Sequence, residues 1–259
     1  MSTVNLSYPN PHTAIITLDD QAQLNAMSEK MADDFTATVD SIRPKADSLR
    51  AIILTGAGKA FSAGGDLQML LGKTKLSAEE NRQRMLKFYN SFLCILELQV
   101  PVIAAINGAA IGAGLCVACA ADIRIASNNA KFGFTFTKLG LHPGMGATFF
   151  VPKVTSPSVA SQLLLTGRII DANEAFRVGL ISEVTEPNTL IDSANKIVEE
   201  LTNTGKESVR QLLLGLRDAP KTLAEALTRE SNNQAINYAG SEFLEGVTAT
   251  IEKRKAKFI

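Results

Sequence analysis

The chain has 259 residues, 46% of them apolar and 20% charged, with twenty-six Lys and Arg against twenty-six Asp and Glu. That length suits one or two domains, and a net charge of zero leaves no long-range field of the kind nucleic-acid binding needs, so no nucleic-acid partner is expected. No run of about 18 uninterrupted apolar residues occurs, because the longest tract, residues 100–121, is broken by Pro101, Asn107 and three glycines. A membrane span is therefore not expected. The start MSTVN lacks the basic residues and apolar stretch of a signal peptide, and the tail KAKFI is no peroxisomal or reticulum address. Three cysteines in a chain this long make no disulfide framework, so a cytoplasmic location is expected.

Residues 14–18 (AIITL) and 50–55 (RAIILT) are short β-branched runs closed by polar or glycine residues, which predicts strands. Between them, residues 28–42 place Met31, Phe35, Val39 and Ile42 on one helical face, with Ser28 as cap and Glu29 near the positive end. Residues 102–106 form a continuous apolar strand of the kind buried on both faces, and 123–126 and 180–184 predict further strands. Strand and helix alternate, which is the α/β pattern. From Pro187 onward the pattern is helical. Ile191, Ala194, Ile197, Val198 and Leu201 make one stripe, followed by segments 206–217, 219–236 and 239–255 punctuated by Gly205, Pro220 and Gly240. The expected division is an α/β core over 1–195 and a helical region over 196–259, placed to within about ten residues.

Between Leu71 and Met85 the run GKTKLSAEENRQR has no apolar face. It reads either as a flap over a binding site, offering Glu79 or Glu80, or as a solvated helix start in which Ser77 and Glu80 form a capping box.

Two glycine-bearing segments, residues 56–67 (GAGKAFSAGGDL) and 107–116 (NGAAIGAGLC), each follow a predicted strand. Glycine lets main chain approach a ligand and lets successive N–H groups converge on one oxygen, and a helix starting at Gly112 would add its positive end. The spacing from Gly108 to Gly114 is G-x-x-x-G-x-G rather than the dinucleotide G-x-G-x-x-G, and neither a G-x-S-x-G elbow nor a Walker lysine is present. Taken singly, each segment would be an ordinary structural turn.

Together with Asn25-Ala26-Met27, ADIRIAS, AKFGF, LGLHPGMGAT and LLLTGRIIDANEAFRVGLISEV in that order, they resemble the enoyl-CoA hydratase/isomerase (crotonase) superfamily over about two thirds of the chain. The resemblance implies a spiral core of ββα units, a helical C-terminal trimerisation region, a homotrimer or hexamer, and an acyl-CoA thioester as substrate. No cofactor is implied beyond the coenzyme A carried by that substrate. It also implies an oxyanion hole made by the backbone N–H groups at Gly65 and Ala113. The segment around Ala63, Asp66 and Leu67, with Ala22 and Leu24, matches the coenzyme-binding stretch, and Gly112, Phe136, Leu139 and Gly144 complete the implied substrate-binding set. Lys253, Arg254, Lys255 and Lys257 either reach coenzyme phosphates or form a solvated helix end.

Where the family's hydratases carry two glutamates, this chain has Cys116 and Phe136, and a third reactive position matches Gly144. A standard two-glutamate hydratase is therefore not expected. Cys116 reads as a proton-shuttling thiol or as a small buried apolar residue. His142 reads as a general acid/base beside the thioester or as a structural or exposed residue, and Asp66 as a loop hydrogen-bonding group rather than a catalytic one. Cys116 and Cys119 with only two histidines in the chain make no metal site. Phe134, Phe136, Phe149 and Phe150 are expected to make one end of the pocket apolar. Two functions follow: an enzyme that stabilises a thioester enolate, by isomerisation, decarboxylation, thioester cleavage or weak hydration, or a catalytically silent acyl-CoA-binding homologue.

Overall fold

β-Branched runs and well-capped amphipathic stretches set the elements of the computed structural model, which describes residues 2–258. β1 (Val4–Asn10) and β2 (Thr13–Leu18) pair antiparallel, and α1 (Glu29–Ile42) follows, its first turn capped where the Ser28 hydroxyl accepts from Met31 N at 3.1 Å. The chain then winds in a repeated step. β3 (Ala51–Gly56) and β4 (Ala60–Ser62) precede α2 (Leu67–Lys73) and α3 (Ala78–Leu93). β5 (Val102–Ile106) and β6 (Ala109–Ile111) precede α4 (Ala113–Ala120). β7 (Ile123–Ser127) and β8 (Lys131–Gly133) precede α5 (Ala147–Val154) and α6 (Pro157–Thr166), and β9 (Ile169–Asp171), α7 (Ala172–Arg177) and β10 (Glu183–Thr185) close the core.

The first strand of each step joins a six-stranded sheet ordered β1-β2-β3-β5-β7-β10, and the second joins a four-stranded sheet ordered β4-β6-β8-β9. Two strands and then helix, repeated while winding between two sheets, is the ββα spiral that the sequence resemblance implies. From β2 to β10 every pairing in the larger sheet is parallel. Such a sheet must be covered on both faces. In β3, Ile52 and Leu54 enter the main core with Phe35 and Val39 of α1, while Ala51 and Ile53 enter a second core with Leu190, Ala194 and Val198. All five residues of β5 are buried.

Those last three apolar residues belong to α8 (Leu190–Thr202), which spans the expected division at residue 195 and packs on the sheet; α9 (Lys206–Arg217), α10 (Leu223–Tyr238) and α11 (Ser241–Ile251) follow. α9 is riveted to the core by Arg217. Its guanidinium donates to both carboxylate oxygens of Asp122, at 2.9 and 2.7 Å, and to the carbonyls of Leu96, Leu98 and Val100.

The structure corrects three expected boundaries. Leu180 and Ile181 are buried but lie in a turn, and the strand begins only at Glu183. The third C-terminal helix starts at Leu223, because Thr222 caps it by accepting from Glu225 N at 3.2 Å. The last helix ends at Ile251, with Lys253 in the left-handed region at φ 55°. Among the described residues no helix is long and apolar enough to cross a membrane.

Candidate active site

The smaller sheet builds the site. β4 and β6 pair parallel, with Ala60 opposite Ala109 and Ser62 opposite Ala110, and β6 pairs parallel with β8, Ile111 opposite Gly133. Parallel strands deliver their C-terminal ends to one edge, where open α/β sheets place their ligands. The segments leaving that edge are residues 63–66, residues 112–113 and residues 134–136.

The first segment is held from below by Asn25, which is fully buried at φ 57°. Its amide donates to the carbonyls of Ala57 and Ala60 at 2.9 and 2.8 Å, and its side-chain oxygen accepts from Asp20 N at 2.8 Å. Ser62 Oγ donates to Asn25 O at 2.8 Å and accepts from Gly64 N at 3.2 Å. Gly64, at φ 93°, lies so close to the second segment that a Cβ there would stand 2.8 Å from Ile111 O. A Cβ on Gly114 would collide with Ser62, so α4 packs directly on β4. Glycine at both positions is what brings the two segments together.

Gly65 forms an isolated parallel bridge with Met27, made by Met27 N to Gly64 O at 2.7 Å and Asp66 N to Met27 O at 3.2 Å. Neither bond uses the Gly65 N–H. Ala113 is the first residue of α4, so its N–H has no acceptor within the helix. Both residues line one cavity of about 740 Å³. Two unused donors of adjacent segments, one of them at a helix N-terminus, favour an oxygen carrying negative charge.

The opposite wall comes from α3, where Asn81, Met85, Phe88 and Tyr89 recur at helical spacing along the cavity. A segment from Thr135 to His142 adds Phe136, Leu139 and His142. Phe136 stands beside the glycine turn, its ring 3.9 Å from where a Cβ on Gly112 would lie. Burial and the neighbouring Cys116 thiol push the Tyr89 phenol above its ordinary value, so it is held neutral.

Of the expected site residues, Gly65, Ala113, Ala63, Asp66, Leu67, Gly112, Phe136, Leu139 and His142 line the cavity. Asp66 caps α2, its carboxylate accepting from Met69 N at 2.6 Å, which is the loop role expected of it. His142 is exposed at the rim, with Nδ1 2.8 Å from its neighbour's Pro143 carbonyl. Cys116 is a correction. It is fully buried in α4 outside the lining, and burial, with Cys119 adding, raises its thiol well above the ordinary range. A thiol so placed neither meets an acyl chain nor ionises to move a proton.

Ala22, Leu24 and Gly144 also lie outside the lining. Ala22 belongs to an exposed 3-10 turn, Leu24 points outward from it in the left-handed region at φ 51°, and Gly144 is screened by Tyr89. Of the four expected phenylalanines only Phe136 faces the cavity. Phe134 is in the core, Phe149 is exposed with Lys153 over its ring, Phe150 packs at Gly146, and Phe88 supplies the missing aromatic wall. Glu80 closes the capping box with Ser77 and Glu79 pairs with Arg82 at 2.6 Å, so neither carboxylate serves the cavity. Lys253, Arg254, Lys255 and Lys257 do not line it either, and Arg254 is paired with Glu245 and Glu252. Tyr89 was outside the expected set, although the spacing 81, 85, 88, 89 marks one helix face.

A family model described as enoyl-CoA hydratase/isomerase matches residues 10–259. The chain is 34% identical to a crotonyl-CoA hydratase of Syntrophomonas wolfei, over 95% of this chain and 94% of that one. It is 31% identical to a 1,2-epoxyphenylacetyl-CoA isomerase of Escherichia coli, covering 98% and 97%. The crystal structure of an enoyl-CoA hydratase from Bacillus anthracis superposes with a TM-score of 0.90 at 32% identity, covering 99% and 98%. Relatives that share the sequence and fold end to end bear names of both hydratases and isomerases, and the chain belongs to the enoyl-CoA hydratase/isomerase family of enzymes.

Proposed function

We propose that the cavity takes an acyl-CoA thioester and that its carbonyl oxygen accepts hydrogen bonds from Gly65 N–H and Ala113 N–H. The observation that carries this is that Gly65 and Ala113 line one cavity and that neither N–H is bonded among the described residues, the second being the first N–H of α4. Donors fixed in advance favour the enolate oxygen over the neutral carbonyl, which directs the chemistry to the acyl α-carbon. The small residues at 65 and 113 leave room for the acyl group, and Ala63, Asp66, Leu67 and Gly112 border the path of the coenzyme arm. Phe88, Phe136, Met85 and Leu139 suit a hydrocarbon or aromatic acyl chain better than a dicarboxylate.

The reaction is not that of a two-glutamate hydratase, because the positions that would hold the carboxylates are a buried thiol and a phenyl ring. No cofactor beyond the substrate's coenzyme is proposed. The exposed faces of α9, α10 and α11 are proposed as the homotrimer or hexamer interface. Leu216, Leu223, Leu244 and Ile251 are each more than two-thirds exposed there, and light scattering that found only monomer would overturn it.

The test of the thioester reading is incubation in D2O with crotonyl-CoA and a panel of longer and aryl acyl-CoAs, read by mass spectrometry. Deuterium at the α-carbon above the protein-free control is expected. Thioesters recovered unlabelled across the panel overturn it.

A further inference from the structure

We propose that the phenol of Tyr89 is the acid–base group of this enzyme, carrying a proton between water and the acyl α-carbon. This rests on the thioester reading above. Four titratable side chains line the cavity: Asp66, Lys73, Tyr89 and His142. Asp66 is spent on capping α2, Lys73 is paired with Glu29 at 3.1 Å, and His142 sits exposed at the rim with one ring nitrogen against Pro143 O. Tyr89 alone of the four is half-buried with no hydrogen bond to its hydroxyl among the described residues.

Two neighbours act on it. A Cβ on Gly144 would collide with the phenol, so the hydroxyl fills space that only glycine at 144 leaves open. The Cys116 thiol of α4 is near enough to add to the effect of burial in holding the phenol protonated. Tyr89 and Ala113 line the same cavity, so a thioester whose oxygen rests on the Ala113 N–H lies in the space that the Tyr89 side chain borders. The titratable groups facing the phenol are Cys116 from α4 and, across the cavity, His142, with Asp66 and Lys73 of α2 completing the lining.

One phenol can give a proton and, once it has given it, take one back, the two tasks that a carboxylic acid and a carboxylate divide between them in a two-carboxylate site. In the addition direction, water oxygen bonds to the β-carbon and the double-bond pair moves onto the thioester oxygen held by the two N–H groups. That pair returns to take the phenolic proton, forming the α-carbon–hydrogen bond as the phenolic O–H breaks. The phenolic oxygen is reset by the proton that the attacking water sheds. Water is consumed, tyrosine is unchanged, and the elimination direction is the same path reversed.

The experiment compares wild type with Tyr89→Phe, which removes one hydroxyl and keeps the ring. Hydration and α-deuteration of crotonyl-CoA in D2O are read alongside calorimetric binding of unreactive butyryl-CoA. The variant is expected to bind butyryl-CoA within about twofold and to lose about 10²–10⁴-fold in turnover, the span of a general acid–base group. Wild-type turnover should fall on the alkaline side as the phenol ionises, and the residual activity of the variant should lack that limb. Turnover in Tyr89→Phe within about threefold of wild type overturns the assignment, as does a wild type that binds butyryl-CoA yet neither hydrates nor labels crotonyl-CoA. Failure of wild type to bind butyryl-CoA overturns the thioester reading beneath it instead.

Discussion

One wall of the cavity is made of main chain and the other of side chains. At residues 63–66 and 112–113 the proposed working groups are backbone N–H, and the sequence supplies what lets the two segments approach: Gly64 with positive φ, Gly114 against Ser62, and Asn25 beneath. Along α3 and residues 135–142 what faces the cavity is side chains, Tyr89, Phe136 and His142 among them. A backbone donor survives almost any change of substrate, whereas the acid and base beside it must follow the chemistry. Relatives of this chain carry the names of both hydratases and isomerases, which agrees with one frame hosting different chemistry.

The strongest way to break this contrast is Ala113→Pro. Proline is well accepted at the first position of a helix and deletes only the N–H in question. Turnover is expected to fall about 10²–10³-fold with the far-ultraviolet spectrum unchanged. A folded variant with full turnover would mean that this donor does not meet the substrate.

On the side-chain wall, Gly144→Ala pushes against the Tyr89 hydroxyl and ring without altering any group of the donor wall. An ångström of misplacement costs about 10²-fold, so a loss of between about tenfold and that value is expected, with butyryl-CoA affinity nearly unchanged. Kinetics identical to wild type would show that the position of the phenol is immaterial.

The smallest effect is expected at Cys116→Ala, which changes turnover by no more than about twofold and costs about 1 kcal/mol of stability for the small void it leaves. The thiols also set an alkaline limit. Burial raises Cys116, and raises Cys119 from an ordinary 9.0 to about 12, so the folded chain holds these protons more tightly than the unfolded one. Their contribution is complete below pH 9 and declines as pH rises toward 12. Urea midpoints at pH 8 and 10 should therefore fall, and fall less in the Cys116 variant. An equal fall in both would place the alkaline loss elsewhere.

The same contrast explains what could be read from the chain. β2, β3 and β5 were legible because short apolar runs rich in β-branched residues, closed by polar, glycine or proline residues, favour strands, and α1 because its apolar spacing and Ser28 cap agree. β4, β6, β8 and β9 are three residues each, too short for alternation to register, and two of them lie inside the glycine-bearing segments. Leu180 and Ile181 looked like strand because burial under the core asks for the same residues that a strand does. The expected donor positions, Gly65 and Ala113, came from the family resemblance of the two glycine-bearing segments, whose glycines alone would have read as ordinary turns. Tyr89 was not legible, because which face of α3 meets the cavity depends on how α3 packs, and the distant partner Gly144 gives no local sign of it.

Arg217 carries a consequence for how the molecule comes apart. One guanidinium on α9 neutralises Asp122 and closes three carbonyls on the approach to β5. Detaching the C-terminal helices would break five hydrogen bonds made by one guanidinium, two of them to a mostly buried carboxylate. The helices beyond residue 205 are thus no detachable appendage. Core and tail are expected to melt in a single transition, and a partner that assembled on the tail would lend its free energy to the strand that runs on, through β6, to the first N–H of α4.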